Sequence, residues 1–167
     1  AVRRDGWLTG AGVLAGALVG GAVLAAVARP ALRRALALAR PSAGALAGWL
    51  LAAAALTAVF DGAALLAGRP LVEPAWLDAY RTGPIALLAV ALVATSIFEE
   101  LCFRGLLQTR LAATRLGPSG AVAVTAILFT LAHGADDAWR FLEVFASALL
   151  LGVARQKSGS SITGMAP

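Results

Sequence analysis

Residues 95–108 read TSIFEELCFRGLLQ, and they place three ionisable side chains, Glu99, Glu100 and Arg104, inside a long apolar part of the chain. The whole chain is 60% hydrophobic and only 14% charged, whereas a soluble domain carries roughly 25% charged residues. This composition excludes an ordinary soluble domain and predicts an integral membrane protein. Because lipid cannot satisfy backbone hydrogen bonds, we expect the spanning segments to be helices.

Five stretches of the chain contain no charged residue, or only one, and short segments rich in Gly, Pro and Arg separate them. They cover residues 6–28, 42–60, 83–98, 117–135 and about 141–154. Asp61 closes the second stretch, and the third runs into Glu99. Each stretch is a candidate for a helix that crosses the bilayer. The predicted fold class is therefore all-α, a polytopic transmembrane helical bundle of about five spans plus the start of a sixth near residues 160–165.

The charge distribution indicates a membrane partner and not a nucleic acid. The net charge is +5, but the basic residues lie at the ends of the apolar stretches and form no run interleaved with aromatic residues. Thirteen arginines against one lysine indicate a bacterial source with high genomic G+C. We therefore expect a multi-pass protein of the bacterial plasma membrane, with the lipid bilayer as a partner and no nucleic acid.

Glu99 is the ionisable residue of the opening motif that has no obvious counter-charge. Glu100 and Arg104 are four residues apart and can pair along one helix face, and intramembrane acids usually mark function. The one histidine, His133, lies 17 residues after the turn near residue 116, and Glu99 lies 17 residues before it. In an antiparallel hairpin this spacing gives the two side chains equal depth. It predicts that they lie within about 4–7 Å of each other, close enough to share one water.

The same residues allow other interpretations. Glu99 and Glu100 could simply mark the membrane–water boundary, with Arg104 reaching the interface. Cys102 is a conceivable nucleophile, but a lone cysteine in a membrane helix is more often a packing residue. One histidine and two adjacent glutamates are poor zinc ligands, so we expect no metal and no other cofactor.

Two short motifs carry a family resemblance. FEELCFRG, residues 98–105, resembles the E-E-x-x-x-R motif of the CAAX prenyl endopeptidase and bacteriocin-processing family, called CPBP or Abi. FTLAH, residues 129–133, resembles the F-x-x-x-H motif of the same family. The resemblance covers about residues 83–167, which would form a catalytic core, and residues 1–82 would form N-terminal transmembrane helices.

The resemblance implies a glutamate-dependent intramembrane endopeptidase that hydrolyses a peptide bond of a membrane-associated peptide or protein. Glu99 would be the general base, and His133 would position and polarise the attacking water. Glu100 and Arg104 would orient the first motif. Phe129 would pack beneath His133.

The family's last motif, H-x-x-x-N or H-x-x-x-B, does not occur before Pro167. The sequence is therefore expected to be a fragment that ends before this motif and is inactive on its own. Two interpretations without proteolysis stay open. A membrane scaffold or immunity protein would keep the fold without cleaving a substrate, and a proton-coupled transporter would also use intramembrane Glu, His and Arg.

Overall fold

Every regular element in the described part of the chain is a helix. The computed structural model describes residues 36, 38–72, 81, 84–134 and 137–165. The elements in chain order are α1 (Ala43–Leu66), α2 (Ile85–Glu99), a π-helix (Glu100–Leu107), α3 (Gln108–Ala112), α4 (Gly117–Ala132), α5 (Ala138–Ser158) and α6 (Ile162–Met165). The predicted all-α class is confirmed for these residues. The first predicted span, residues 6–28, lies outside them.

Helix α1 is the one described helix that is both long enough and apolar enough to cross a membrane. It has 24 residues and begins after Ser42, whose hydroxyl accepts a hydrogen bond from the Ala45 amide. The helix continues past the predicted boundary at Asp61 to Leu66, because one acid is too weak a breaker among good helix formers such as Ala and Leu. Helix α4 is also apolar but has only 16 residues, so five long apolar spans are not observed among the described residues.

Helix α2 runs without interruption into the π-helix and α3, giving one helical run over residues 85–112. In the π-helix the amides bond five residues back instead of four, and the Gln108 amide accordingly donates to Phe103 O. The widened winding covers ELCFRGLL, which contains Glu100 and Arg104 of the opening motif. The sequence predicts an ordinary α-helix here, because no local residue pattern encodes the wider winding.

Residues 113–116 form the turn that was predicted near residue 116. Gly117 then begins α4 with a positive φ of 64°, and Pro118 occupies the first turn, where a missing amide hydrogen is no loss. Helix α4 packs against both α3 and α5. The turn and the packing together make α4 the antiparallel partner of the preceding helical run.

Helix α5 runs parallel to the π-helix. Arg104 Nη2 donates to Ala148 O at 3.4 Å, and Gln108 Nε2 donates to Gly152 O at 2.9 Å. Both bonds join residues 44 positions apart, and a constant offset means that the two helices share one direction. The apolar core beside this contact consists of Ala126, Phe129, Val144 and Ala148.

Three further contacts join the part of the chain before residue 72 to the residues that flank α5. Ser161 Oγ donates to Leu36 O at 3.0 Å, and Ser160 Oγ donates to Ala39 O. At the other end of α1, Arg69 pairs with Asp137. The amide of Arg140, which donates to the Asp137 carboxylate, holds the pKa of Asp137 below its usual range, and Arg69 adds to this effect.

Beside its apolar core, the described part of the chain buries many polar side chains and exposes many large apolar ones. The large apolar side chains that are at least half exposed include Leu51, Val59, Leu65, Leu66, Ile85, Val90, Val93, Leu131 and Leu142. The buried polar or charged residues are Glu100, Arg104, Gln108, Thr125, Thr130, Ser160, Ser161 and Thr163. Among the described residues, polar groups therefore lie inside and large apolar groups cover much of the surface.

Candidate active site

Glu99 and His133 meet between the end of α2 and the end of α4. Glu99 Oε2 lies 4.0 Å from His133 Nε2, and their side chains are 29% and 32% exposed. The predicted proximity of the two residues is confirmed. A separation of 4.0 Å is too long for a direct hydrogen bond, but one water can bond to both groups at once.

The ring of His133 is oriented by Phe129, four residues earlier on α4. His133 Nδ1 lies 2.9 Å from Phe129 O. A carbonyl only accepts, so Nδ1 carries the hydrogen and, in the neutral ring, the lone pair is on Nε2. That lone pair belongs to the nitrogen closest to Glu99. The Phe129 ring also lies against the His133 ring, with centroids 4.2 Å apart and planes tilted by 35°, which is the position expected for Phe129.

Glu100 points into the protein, unlike its neighbour Glu99. Only 3% of Glu100 is exposed, and Arg104 is fully buried. Glu100 Oε1 lies 3.2 Å from Arg104 Nη1, so the pairing expected from their spacing is observed. The two adjacent glutamates therefore occupy different environments, one facing a half-exposed site and the other facing a buried cation.

The buried arginine and the site histidine contact the same aromatic ring. Arg104 Cζ lies 4.2 Å from the centroid of Phe129, a distance at which a guanidinium is attracted by the aromatic face. Phe103 meets the same ring edge-on, with centroids 5.0 Å apart. The two short motifs, which are separate in the sequence, are joined through Phe129. The contact of Phe103 was not predicted.

Three polar side chains outside the predicted site, those of Gln108, Thr109 and Arg155, join the helical run of the motif to α5. Gln108 bonds to α5 as described above. Arg155 Nε donates to Arg104 O at 3.1 Å, and Arg155 Nη2 donates to Thr109 Oγ1 at 2.7 Å. Sequence reasoning missed Arg155 because a basic residue at the end of an apolar stretch is an ordinary feature of membrane proteins.

Within the described ranges, no group of three or more His, Cys, Asp or Glu side chains is arranged to hold a metal ion. Cys102 is a free, half-buried thiol. The groups available at the site are therefore one carboxylate, one imidazole and the aromatic and ionic residues that support them.

The regular elements among the described residues are all helices, and two antiparallel ones bring an acid–histidine pair together. Residues 81–166 match the family described as Type II CAAX prenyl endopeptidase Rce1-like. This match covers more than half of the 167 residues, and the chain belongs to this family. The family implies a protease with a peptide substrate, and with α1 it supports a membrane protein. No curated protein and no solved structure significantly matches the chain.

Proposed function

We propose that this protein is an intramembrane endopeptidase in which Glu99 activates a water for attack on a peptide bond. The observation that carries the proposal is the 4.0 Å separation of Glu99 Oε2 and His133 Nε2 at a half-exposed position. A base and a second polar group that can hold the same water satisfy the geometric condition for general base catalysis. Family membership supports peptide hydrolysis as the reaction.

The proton transfers follow from the two side chains. One hydrogen of the water bonds to the Glu99 carboxylate, and the other bonds to the lone pair on His133 Nε2. As the water oxygen attacks the peptide carbonyl carbon, Glu99 takes the first proton. When the C–N bond of the tetrahedral intermediate breaks, Glu99 returns that proton to the leaving amine, so the base is regenerated.

The buried residues beside this pair have supporting roles in the proposal. Glu100 compensates the charge of Arg104 at 3.2 Å, and Arg104 stacks on the ring of Phe129. Phe129 in turn orients His133 through its carbonyl oxygen and its ring. Glu100, Arg104 and Phe129 would therefore keep His133 in place without contacting the substrate.

The proposal includes a polytopic bundle in the plasma membrane of a bacterium. The apolar surface and the buried polar groups are the distribution expected for a bundle surrounded by lipid. The helical run over residues 85–112 has 28 residues, or roughly 40 Å at 1.5 Å per residue, which exceeds the apolar core of a bilayer of about 30 Å. Taken as one continuous run, this segment would be a second complete span beside α1, which is the one described helix that is long and apolar enough on its own.

Glu99→Gln tests the proposal in the full-length protein reconstituted in liposomes. Gln keeps the size of the side chain but cannot take a proton, so we expect peptide release to fall by about 10²–10⁴-fold. Glu143→Gln is the matched control, because Glu143 is an acid on the surface of α5 that pairs with Arg140. Its rate should equal that of the wild type.

Both variants are first checked for equal amounts in the membrane, so that a lost rate reports chemistry. Peptide release by Glu99→Gln at the wild-type rate would remove the protease assignment. The family fold would then be serving a scaffold or immunity function without catalysis.

A further inference from the structure

The end of the π-helix leaves one backbone carbonyl without an amide partner. The Gln108 amide donates five residues back, to Phe103 O, and the regular helix α3 begins at Gln108. When the spacing returns from five residues to four, the series of amide donors passes over one carbonyl. Because Gln108 bonds to Phe103 O, and a four-residue spacing from Thr109 would lead to Gly105 O, we infer that the carbonyl passed over is that of Arg104. A buried carbonyl needs another donor, because an unpaired polar group inside a protein is costly.

Arg155 of α5 supplies the closer of two side-chain donors to this carbonyl, and the other, Thr109 Oγ1, lies 3.5 Å from it. Arg155 Nε donates to Arg104 O at 3.1 Å, while Arg155 Nη2 donates to Thr109 Oγ1 at 2.7 Å. The Thr109 hydroxyl donates in turn to Gly105 O at 2.5 Å. One planar guanidinium therefore holds both sides of the junction between the π-helix and α3, and it does so from a different helix.

Hydrogen bonds also run the other way, from side chains of the π-helix and α3 to the backbone of α5. Arg104 and Gln108 donate to carbonyls of α5, those of Ala148 and Gly152. Side chains from each helix thus bond to the backbone of the other, and Arg155 is the member of the set that bonds to the carbonyl released by the wide winding. These contacts fix the rotation of the π-helix about its axis relative to α5.

We propose that Arg155 is a positioning residue, which holds the π-helix in its wide winding and thereby turns Glu99 toward His133. A return of this segment to α-helical winding would shift the register by one residue, a rotation of roughly 100° at 3.6 residues per turn. Glu99 is the last residue of α2 and directly precedes the π-helix, so a rotation of α2 relative to α3 and α5 would carry its carboxylate away from His133. The inference rests on the proposed function for calling the pair catalytic, but the positioning itself can be measured without any activity.

The measurement uses the ring nitrogens of His133, the one histidine among the 167 residues. Protein labelled with ¹⁵N-histidine is prepared in detergent micelles at fixed pH, and the signal is assigned by its loss in His133→Gln. Glu99→Gln should move the Nε2 shift in the wild-type background, because the carboxylate lies 4.0 Å away. In the Arg155→Met background the same substitution should move that shift by less than half as much.

Lys157→Met is the matched control, since Lys157 is an exposed basic residue of the same last turn of α5. The effect of Glu99→Gln on the His133 signal should be unchanged in this background. Arg155→Lys keeps the charge but loses the planar pair of donors, so the effect should again fall below that in the wild type. If Arg155→Met does not yield folded protein, Arg155→Lys decides.

The proposal is overturned if Glu99→Gln moves the His133 signal equally in the wild type and in the Arg155 variants that fold. In the full-length enzyme, Arg155→Met should lower kcat by about 10–100-fold with little change in KM, as expected for a misplaced base. If Glu99→Gln proves fully active while Arg155→Met still uncouples the signal, the proposed function fails and the positioning role stands. If Glu99→Gln moves the His133 signal equally in all backgrounds but abolishes activity, the positioning role of Arg155 fails and the proposed function stands.

Discussion

Glu99 and Glu100 are the same residue type at adjacent positions, yet the fold assigns them opposite environments. The Glu99 side chain is 29% exposed beside His133, whereas that of Glu100 is 4% exposed beside Arg104. Adjacent helix positions point in different directions, so a pair of acids at the edge of a helical interface naturally splits between surface and core. We therefore expect Glu99 substitutions to affect activity and Glu100 substitutions to affect stability.

Glu100→Gln should strongly lower the free energy of unfolding, because it leaves the guanidinium of Arg104 buried without a counter-charge. Removing one partner of a buried ion pair costs about 3–5 kcal/mol. Glu143→Gln removes an acid from a pair of the same type, Arg140–Glu143, whose side chains are 42% and 32% exposed. Because both side chains of this pair remain partly in contact with solvent, the pair is worth only about 0–1 kcal/mol.

The two stabilities are compared by reversible unfolding in mixed detergent micelles. Equal losses in Glu100→Gln and Glu143→Gln would contradict the assignment of Glu100 as the buried counter-ion of Arg104.

At the scale of the helices, the lengths of the apolar stretches and the Gly-, Pro- and Arg-rich segments between them predict much of the observed succession of helices and turns. The turn near residue 116 follows from its Gly and Pro residues, and the approach of Glu99 to His133 follows from their equal spacing about that turn. The π-helix and the bonds of Arg155 do not follow from such local features. They depend on contacts between residues about 50 positions apart, such as Arg104 and Arg155, and no local pattern carries that information.

Gly152 of α5 lies directly against Val122 of α4. A Cβ at Gly152 would lie 3.0 Å from Val122 Cγ1 and 3.6 Å from Gln108 Oε1. Alanine is the better helix former by about 1 kcal/mol, but a clash with a β-branched side chain that is stiff in a helix costs about 1–3 kcal/mol. Gly152→Ala should therefore lower the Tm, and Val122→Ala in the same chain should restore it.

Gly48→Ala in α1 is the control for this prediction. No atom lies within 4 Å of a Cβ at Gly48, so only the gain in helix propensity of up to about 1 kcal/mol remains. An unchanged Tm for Gly152→Ala, or an equal fall in Tm for Gly48→Ala, would contradict a steric clash at Gly152.

For the whole molecule, the main question is whether lipid surrounds the exposed apolar side chains. Leu51 is 72% exposed on α1. In water, Leu51→Lys would be nearly neutral, whereas in the centre of a membrane helix a lysine costs about 2.5–3.5 kcal/mol on insertion. Leu51→Lys should therefore reduce the fraction of protein that is inserted, measured by resistance to alkaline extraction of membranes.

Leu71→Lys provides the comparison, because Leu71 is 50% exposed and follows α1 in a bend. It should insert as the wild type does. Full insertion of Leu51→Lys would contradict the proposal that α1 faces lipid.

The pairing of Glu100 with Arg104 inside one helix also matters during synthesis. The other partners of Arg104, Phe129 and Ala148, leave the ribosome only after many more residues have been added. Because its counter-ion lies one turn away, this helix can enter the translocon with the two charges already compensated. Exchanging Leu101 and Arg104 (Leu101→Arg with Arg104→Leu) keeps the composition but places the arginine one residue from Glu100 and two from Glu99, where it faces neither acid. In glycosylation mapping of nascent chains, the exchanged segment should insert less efficiently than the native one, and equal insertion would show that the translocon does not sense the pair.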